Sequence, residues 1–457
     1  TTTTTTPVQV ENRVDELRVL EFFSGIGGMY YSAAMSGVPF RVIQSFDINT
    51  NANTVYNHNI SSKYPNPSKH KVNSKSIDAL TAKELEQYKA NTWMMVRLYD
   101  STHLVACDTN ISDITQSPPC QPFTRVGLQK DLGDNRTNCF VNLLDILTEM
   151  LQPPTYILIE NVYGFEIGVE CNSETLTHLM IQKSNARQLL LERFRQLGYS
   201  FQEFHLTPVQ FGIPNQRLRY FCIAKHVPND NNSISDKSST PSTSSTSTST
   251  TSTTSTTTTN NVVPEPDNPV ILKQIPNVDP VSPDTIAHYL DADSDTEQHF
   301  QKYKVPMKVL LSKGMLFDFD SIAICLCRFN RSNFTIEIEI NIHQYRVFIL
   351  NWIFHLRNSN DTTTNCFTKA YSKFVEGTGS VLQLDTNFKA DINDPNTLIP
   401  MRLRYLSPKE ITRLHSFPEE FNFPPGYTTA QGYRLIGNSL NCTIVSELLK
   451  YLYYRFE

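Results

Sequence analysis

The sequence contains no apolar run long enough to cross a bilayer, and it opens with six threonines instead of a charged and then apolar signal segment. These absences argue against membrane insertion and secretion, so we expect a protein of the cytoplasm and the nucleus. None of the nine cysteines forms a CxxC pair, and the spacing of Cys325 and Cys327 does not suit a zinc knuckle. Neither a disulfide framework nor a structural metal site is therefore expected.

The charge of the chain is close to balanced. Lys and Arg number 40 against 45 Asp and Glu, which gives a net charge of −5. This balance argues against indiscriminate binding of polyanions, although a local basic face could still hold nucleic acid. Hydrophobic residues make up 39% of the chain, enough for at least one large core. Composition therefore indicates a globular protein without identifying its partner.

The amino-terminal half alternates apolar strands with amphipathic helices. Apolar runs predict strands over residues 17–23, 42–46 and 156–159. Apolar residues at helical spacing follow over residues 29–35, 140–151 and 189–197. This alternation predicts an α/β fold with a parallel sheet covered on both faces. Functional residues are expected at the carboxyl ends of the strands.

Composition also suggests where the chain divides. A Ser-, Thr- and Asn-rich tract cannot bury enough apolar surface to offset the entropy of ordering it, so it predicts a disordered linker. A weakly patterned region follows, and the last segment is again helical. The predicted parts are a main lobe at 17–226, the linker at 229–261, a smaller middle domain at 262–400 and a return to the lobe at 401–457.

A glycine loop lies between the first predicted strand and the helix after it. It contains Gly25, Gly27 and Gly28, and Asp47 ends the next strand. Glycines let the backbone approach a ligand at a helix start, and an acidic group at the tip of the second strand can accept hydrogen bonds from ribose hydroxyls. The pattern suits a nucleoside cofactor. Because it is not a full GxGxxG, the loop alone fits a plain structural turn equally well.

Three further strings carry reactive or charged side chains. Cys120 stands in the proline-rich loop 117–122, and a stiff loop around one thiol suits a nucleophile. Glu160 ends an apolar strand, where a carboxyl group could meet a substrate. Arg217 and Arg219 precede another strand and, two residues apart, would project on the same side. Taken singly, a cysteine like Cys120 is more often a buried thiol, an acid like Glu160 more often a strand cap, and a pair like Arg217 and Arg219 more often part of a solvated strand edge.

Taken in order, the strings resemble the motifs of the cytosine-5 methyltransferase family. They are FSGIGG at 23–28, PPCQ at 118–121, ENV at 160–162, QRLRYF at 216–221 and RLIGNSLN at 434–441. Within the family, CFT at 366–368 followed by EGTGSVLQ at 376–383 is most similar to the branch that methylates aspartate transfer RNA. The resemblance implies a Rossmann-like class I methyltransferase lobe with a smaller target-recognition domain.

The resemblance also implies a substrate, a cofactor and residue roles. The substrate would be cytosine 38 in the anticodon loop of aspartate tRNA, and S-adenosylmethionine would donate the methyl group without a metal. Cys120 would add to carbon 6 of the base and Glu160 would bond ring nitrogen 3. Arg217 and Arg219 would favour the thiolate and bind the base carbonyl. The residues implied around the cofactor are Ile26, Gly27, Gly28, Asp47, Ile77, Asp78, Ser117 and Ser439.

Two other functions stay open on the sequence. A DNA cytosine-5 methyltransferase would share the reaction and differ only in its substrate; the CFT string is the feature that favours the RNA branch. A catalytically inactive nucleic-acid-binding homologue would keep the fold. The presence of every expected catalytic residue argues against this second alternative.

Two stretches depart from the family pattern. Residues 91–95 would join directly to the nucleophile loop at Ser117, but Val96 to Gln116 intervene. A second stretch, about 321–360, precedes the CFT string. Tolerated surface loops are the simpler explanation, yet an insertion inside a central strand would displace a thiol that must be held within about half an ångström. We therefore predict that both stretches are translated introns, absent from the working enzyme.

Overall fold

The computed structural model describes residues 16–96, 135–171, 179–226, 269–314, 355–375, 377–391 and 394–456. The nucleophile loop with Ser117 and Cys120 lies outside these residues, as do the first departure beyond Val96 and the Ser/Thr-rich tract. Among the described helices, none is both long and apolar enough to cross a membrane.

A six-stranded sheet forms the centre of the lobe. Its order is β2-β1-β3-β4-β8-β7, and β5 pairs with β6 in a separate hairpin. Strands β2, β1, β3 and β4 are parallel, as predicted. The strands are β1 (Leu17–Phe22), β2 (Phe40–Phe46), β3 (Thr92–Val96), β4 (Tyr156–Val162), β5 (Ile167–Cys171), β6 (Leu179–Lys183), β7 (Tyr199–Leu206) and β8 (Arg219–His226).

Strand β8 corrects the expectation of an all-parallel sheet. It runs antiparallel to both of its neighbours, β4 and β7. A parallel return needs a crossover connection, usually a helix, whereas residues 207–218 are all described and contain no helix beyond the 3-10 turn Pro208–Gln210. Strand β8 therefore begins at the edge where β4 ends, and the first side chains of β8 lie beside the last ones of β4.

Helices cover both faces of the sheet, as predicted. Successive strand side chains alternate between faces, so Leu158 joins one core with α1, α2 and α10, and Ile157 joins the other with α3, α4 and α5. The helices are α1 (Gly28–Ser36), α2 (Thr50–Asn59), α3 (Ala82–Glu86), α4 (Asn135–Glu149), α5 (Asn185–Gln196), α6 (Glu297–Tyr303), α7 (Met307–Gly314), α8 (Pro408–Leu414), α9 (Thr429–Gly437) and α10 (Cys442–Tyr454).

A second, three-stranded sheet has the order β11-β10-β9, with β9 (Leu356–Arg357), β10 (Val381–Gln383) and β11 (Leu403–Tyr405). Two backbone hydrogen bonds join the segment after β9 to the lobe. Gln216 N donates to Thr364 O and Thr364 N donates to Pro214 O, each at 2.8 Å. Leu356 and Arg357, which lie within the predicted second departure, form β9 and pair with β10. Residues 315–354 lie outside the described residues.

Candidate active site

The predicted site residues meet at one edge of the central sheet. The glycine loop follows β1, Asp47 follows β2 and Glu160 lies near the end of β4. Parallel strands present their carboxyl ends at the same edge. Because β8 is antiparallel, it presents its first residue, Arg219, at this edge too. The topology thus places Asp47, the glycine loop and the pair formed by Glu160 and Arg219 at one edge of the sheet.

The glycine loop is fixed by backbone conformation and by packing. Gly25 and Gly27 have φ angles of 55° and 95°, which residues with a Cβ rarely adopt. A Cβ on Gly27 would lie 2.3 Å from Ile60 Cδ1, and one on Gly28 would lie 2.9 Å from Leu440 Cγ. On Gly25, the nearest atom to a Cβ is a carbonyl oxygen 3.9 Å away. A ligand can therefore approach the loop at Gly25.

Two predicted cofactor residues beside the loop are buried. Ile26 is 2% exposed and belongs to the core, so only its backbone can reach a ligand. Ser439 packs on Gly28, with its Oγ 3.2 Å from the position of a Cβ there. The contact arises because α10, capped by Asn441, packs against α1. The carboxyl-terminal return therefore closes one side of the glycine loop.

Asp47 holds the loop while facing the same edge. Its Oδ2 accepts from Gly25 N and its Oδ1 accepts from Asn49 N, both at 2.8 Å. Burial raises the pKa of the carboxyl group, and these two bonds counteract only part of the rise. Each carboxylate oxygen has two lone pairs, so acceptor capacity remains for ribose hydroxyls.

Ile77 and Asp78 differ in exposure although they are adjacent in the 3-10 turn Ile77–Ala79. Ile77 is buried in the core, whereas Asp78 is exposed. The large apolar side chain at this edge is instead Ile48, directly after Asp47 and 70% exposed. Sequence reasoning missed it, because one apolar residue in a loop carries no periodic signal. Its exposed surface suits the flat face of a purine.

Glu160 lies inside β4 and not beyond its end, because strand pairing continues to Val162. Val162 is directly opposite Arg219, so Glu160 and Arg219 are diagonal neighbours on one face. Glu160 is 2% exposed; its Oε1 lies 3.7 Å from Arg219 Nε, and its Oε2 has no hydrogen-bond partner among the described residues. An unsatisfied buried polar atom costs about 1–3 kcal/mol, so Oε2 marks a place for a polar ligand.

Arg217 is 1% exposed, so a solvated edge is the wrong interpretation of this residue. Its guanidinium donates to the carbonyl groups of Gly437 and Ser439 in the carboxyl-terminal return. It also donates to Cys366 Sγ at 3.3 Å, and Arg219 donates to the same sulfur at 3.4 Å. The prediction that both guanidinium groups project on the same side is confirmed, and they meet at one thiol.

Cys366, the first residue of the CFT string, is the functional candidate that sequence reasoning did not recognise. Burial raises the pKa of its thiol, but Arg219 and Arg217 lower it further, to about 7 overall. A thiolate is therefore accessible at neutral pH. In the sequence, the string indicates only the branch of the family. Its contact with Arg217 spans 149 positions and depends on the folded chain.

Two glycines hold the CFT string against the arginines. A Cβ on Gly379 would lie 2.6 Å from the Phe367 ring, and one on Gly437 would lie 2.2 Å from the carbonyl carbon of Thr368. A larger residue at either position would push the string out of place. The EGTGS and RLIGNS strings therefore position Cys366.

Asp291, His299 and Glu410 bring potential metal-ligand atoms within 4.8 Å of one another. Their carboxylates are already engaged: Arg404 donates to both oxygens of Glu410 at 2.8 Å, and Arg413 donates to Asp291 at 2.7 Å. Two guanidinium cations so close oppose a further cation. We interpret the group as an ion-pair network that joins α8 to the preceding segment.

Comparison with known proteins assigns the family. The model of the family described as C-5 cytosine-specific DNA methylase matches residues 17–453. The chain belongs to this family. This methyltransferase is 47% identical over 443 residues to a Dictyostelium discoideum protein named DNA (cytosine-5)-methyltransferase, covering 96% of this chain and 95% of that protein. It is 31% identical over 473 residues to the human tRNA (cytosine(38)-C(5))-methyltransferase, covering 96% and 100%.

Solved structures agree with the fold of the methyltransferase. The crystal structure of S. pombe Dnmt2 methyltransferase matches with a TM-score of 0.59 and 25% identity, covering 96% of this chain and 98% of that one. The structure of a Spodoptera frugiperda DNMT2 mutant matches with a TM-score of 0.60 and 27% identity, covering 95% and 99%. The fold predicted from the sequence is confirmed, and cytosine-5 methyl transfer is the activity of the family.

Proposed function

We propose that the protein methylates carbon 5 of a cytosine in transfer RNA, at cytosine 38 of the anticodon loop of aspartate tRNA. The observation that carries the proposal is the contact of Cys366 with both Arg217 and Arg219. The CFT string that separates the RNA branch in sequence is thereby part of the site where the base would react. The names of the human, rat and mouse relatives, 31–32% identical to this chain, support the same substrate.

Carbon 5 of cytosine is a poor nucleophile, so the reaction needs covalent activation of the ring. The Cys120 thiolate adds to carbon 6, and the electron pair displaced from the 5,6 double bond makes carbon 5 nucleophilic. After methyl transfer, the proton on carbon 5 leaves and the bond between sulfur and carbon 6 breaks. The enzyme is thereby regenerated. Cys120 lies outside the described residues, and its role rests on the PPCQ string.

Glu160 supplies the acid of this scheme. In its protonated form, Glu160 would donate from Oε2, which has no hydrogen-bond partner among the described residues, to ring nitrogen 3 and neutralise the charge that thiolate addition creates. Arg219 Nε lies 3.7 Å from the other carboxylate oxygen, and its guanidinium group would bind the base carbonyl. Arg217 holds the carboxyl-terminal return next to this pair by donating to the carbonyl groups of Gly437 and Ser439.

The glycine loop and the residues beside it at the sheet edge fit S-adenosylmethionine, which supplies an electrophilic methyl group when bound. Asp47 retains acceptor capacity for the ribose hydroxyls, and the exposed Ile48 offers an apolar surface for the adenine. Gly25 is the open point of the loop, and Ser439 closes the far side. Gly27 and Gly28 keep the loop in shape, while Ile26 and Ile77 support it from the core. Asp78 is the remaining exposed polar group in this set.

DNA is the second candidate substrate, because the 47% identical relative from Dictyostelium discoideum is named a DNA methyltransferase. An anticodon-loop cytosine is partly unstacked already, whereas a duplex base must be flipped out at a cost of a few kcal/mol. We therefore favour RNA. Side-by-side assays with aspartate tRNA, the same tRNA lacking cytosine 38 and duplex DNA test the proposal. Bisulfite sequencing should find methylation at cytosine 38 alone; preferential methylation of DNA would overturn the RNA assignment.

A further inference from the structure

An exposed aromatic ring stands next to the candidate active site. Tyr163 follows the last residue of β4 and comes three residues after Glu160. Its exposed fraction is 42%, compared with 2% for Glu160. Three residues span at most about 10 Å of extended chain, so the two Cα atoms are neighbours at the edge of the sheet. A large ring is therefore exposed at the same edge of the sheet as Glu160.

The ring is held in one orientation by a chain of contacts. Its centroid lies 4.9 Å from that of His205 on β7, with an edge-to-face angle of 63°. The imidazole Nε2 lies 2.9 Å from Glu166 Oε1, and Glu166 Oε2 accepts from Gly164 N at 3.1 Å. The turn after β4 thus supports its own tyrosine through His205 and Glu166.

The base of the same turn is anchored in the core. Phe165 is 3% exposed and packs against Phe140 of α4 and Tyr220 of β8, with ring centroids 6.1 and 5.0 Å away. Tyr163 contacts His205, and the Glu160 carboxyl group faces Arg219. Both contacts lie on the β8 side of β4, because β8 separates β4 from β7. Glu160 shares one face of the sheet with Arg219, whereas His205, the partner of Tyr163, is paired with Tyr220 on the opposite face. A single strand of nucleic acid that crosses the sheet edge would therefore meet both residues, one from each face.

We propose that Tyr163 is a stacking platform for an unpaired nucleobase of the RNA substrate, next to the cytosine that enters the site. This inference rests on the proposed function. When the target base leaves its stack, its neighbour loses a stacking partner, and a pre-oriented aromatic ring replaces it. A neutral aromatic ring stacks on the face of a base, whereas a cationic side chain mainly contacts the phosphate. A protein partner would need about 800 Å² of contact on this side, far more than one ring offers.

The experiment compares steady-state methylation of aspartate tRNA by the full-length protein and four variants. Stacking on an aromatic ring contributes about 5- to 150-fold in affinity, so Tyr163→Ala should raise KM by a factor in this range with little change in kcat. Tyr163→Phe keeps the ring and should stay close to wild type. His205→Gln leaves the ring but removes its support, and should give a smaller rise in KM.

Tyr454→Ala is the matched control. Tyr454 is an exposed tyrosine, 58% accessible, and its neighbour Tyr453 packs on Tyr156 at the opposite end of β4. Its removal should leave KM unchanged. Equal KM values for Tyr163→Ala and wild type, with tRNA methylation intact, would overturn the platform but not the proposed function. A lower kcat at unchanged KM, or equal losses for Tyr163→Ala and Tyr163→Phe, would also overturn it. If the wild type methylates only DNA, the proposed function fails and the platform with it.

Discussion

Replacing Cys366 with alanine removes the atom at which both active-site arginines meet. Arg217 would keep its bonds to the carbonyl groups of Phe367, Gly437 and Ser439, so its position should change little. Arg219 would keep only the carbonyl of the residue before it, at 2.7 Å, and Glu160 at 3.7 Å, among the contacts described for it. We therefore expect Arg219 to become mobile, with a fall in kcat/KM.

Cys366→Ala should also lower the free energy of unfolding, and this loss of stability should depend on pH in a direction set by the ionisation of the Cys366 thiol. The folded-state pKa of Cys366 is about 7, below the ordinary value of 9.0. Between these values the native state binds fewer protons than the unfolded state, so the thiolate stabilises the fold increasingly as pH rises. The stabilisation is lost as pH falls through 7. Linkage gives about 2 kcal/mol of additional stability at pH 8.5 relative to pH 6.

Denaturant unfolding of wild type and Cys366→Ala at pH 6, 7.5 and 8.5 measures the stability that the thiolate contributes. The difference in unfolding free energy between them should grow by about 2 kcal/mol across the series. Cys442→Ala is the matched control, because Cys442 is also buried but burial raises the pKa of its thiol. Its difference from wild type should be flat over this range. A Cys366 difference that is constant or shrinks with rising pH would refute the thiolate between the arginines.

Three further predictions follow from the same residues. Asp47→Ala should weaken S-adenosylmethionine binding by about 1.5–3 kcal/mol, the value of a charged hydrogen bond; unchanged affinity in calorimetry would show that the carboxyl group does not meet the cofactor. Deleting residues 233–260 should leave activity and Tm nearly unchanged, since the tract lacks side chains for a core, and a large loss of either would contradict the linker. Sequencing should show that the mature transcript lacks the codons for residues 96–116; their presence in the message of an active enzyme would disprove the intron.

The central sheet was predictable because buried strands have a strong signal. The parallel strands β1 to β4 are continuous apolar runs or alternate toward two covered faces, and the structure follows them. The antiparallel direction of β8 was missed, because an apolar run has no direction. Only the length and content of the connection from β7 decide it. Strand β3 extends to Val96, the first residue of the predicted first departure, which is buried and pairs with Glu160.

The site was predictable where function is encoded in local strings and unpredictable where it depends on distant contacts. The glycine loop, Asp47 and Glu160 each follow a strand or end one, so topology alone brings them to one edge. Cys366 reaches Arg217 only because the second sheet is joined to the lobe beside Gln216. Periodicity does not reveal such a contact. The exposed Ile48 and Tyr163 were missed for a related reason, since burial and exposure of single loop residues are set by the complete fold.

The covalent step is tested most directly by trapping it. Aspartate tRNA with 5-fluorocytosine at position 38 should form a stable adduct with the wild-type protein and S-adenosylmethionine, because fluorine on carbon 5 cannot leave as a proton does. Peptide mapping by mass spectrometry should find the RNA on Cys120, and Cys120→Ala should give no adduct while still binding the cofactor. The other thiol at the site, Cys366, has a lowered pKa and is the sharpest competitor. An adduct on Cys366, or none with the wild type, would contradict the account.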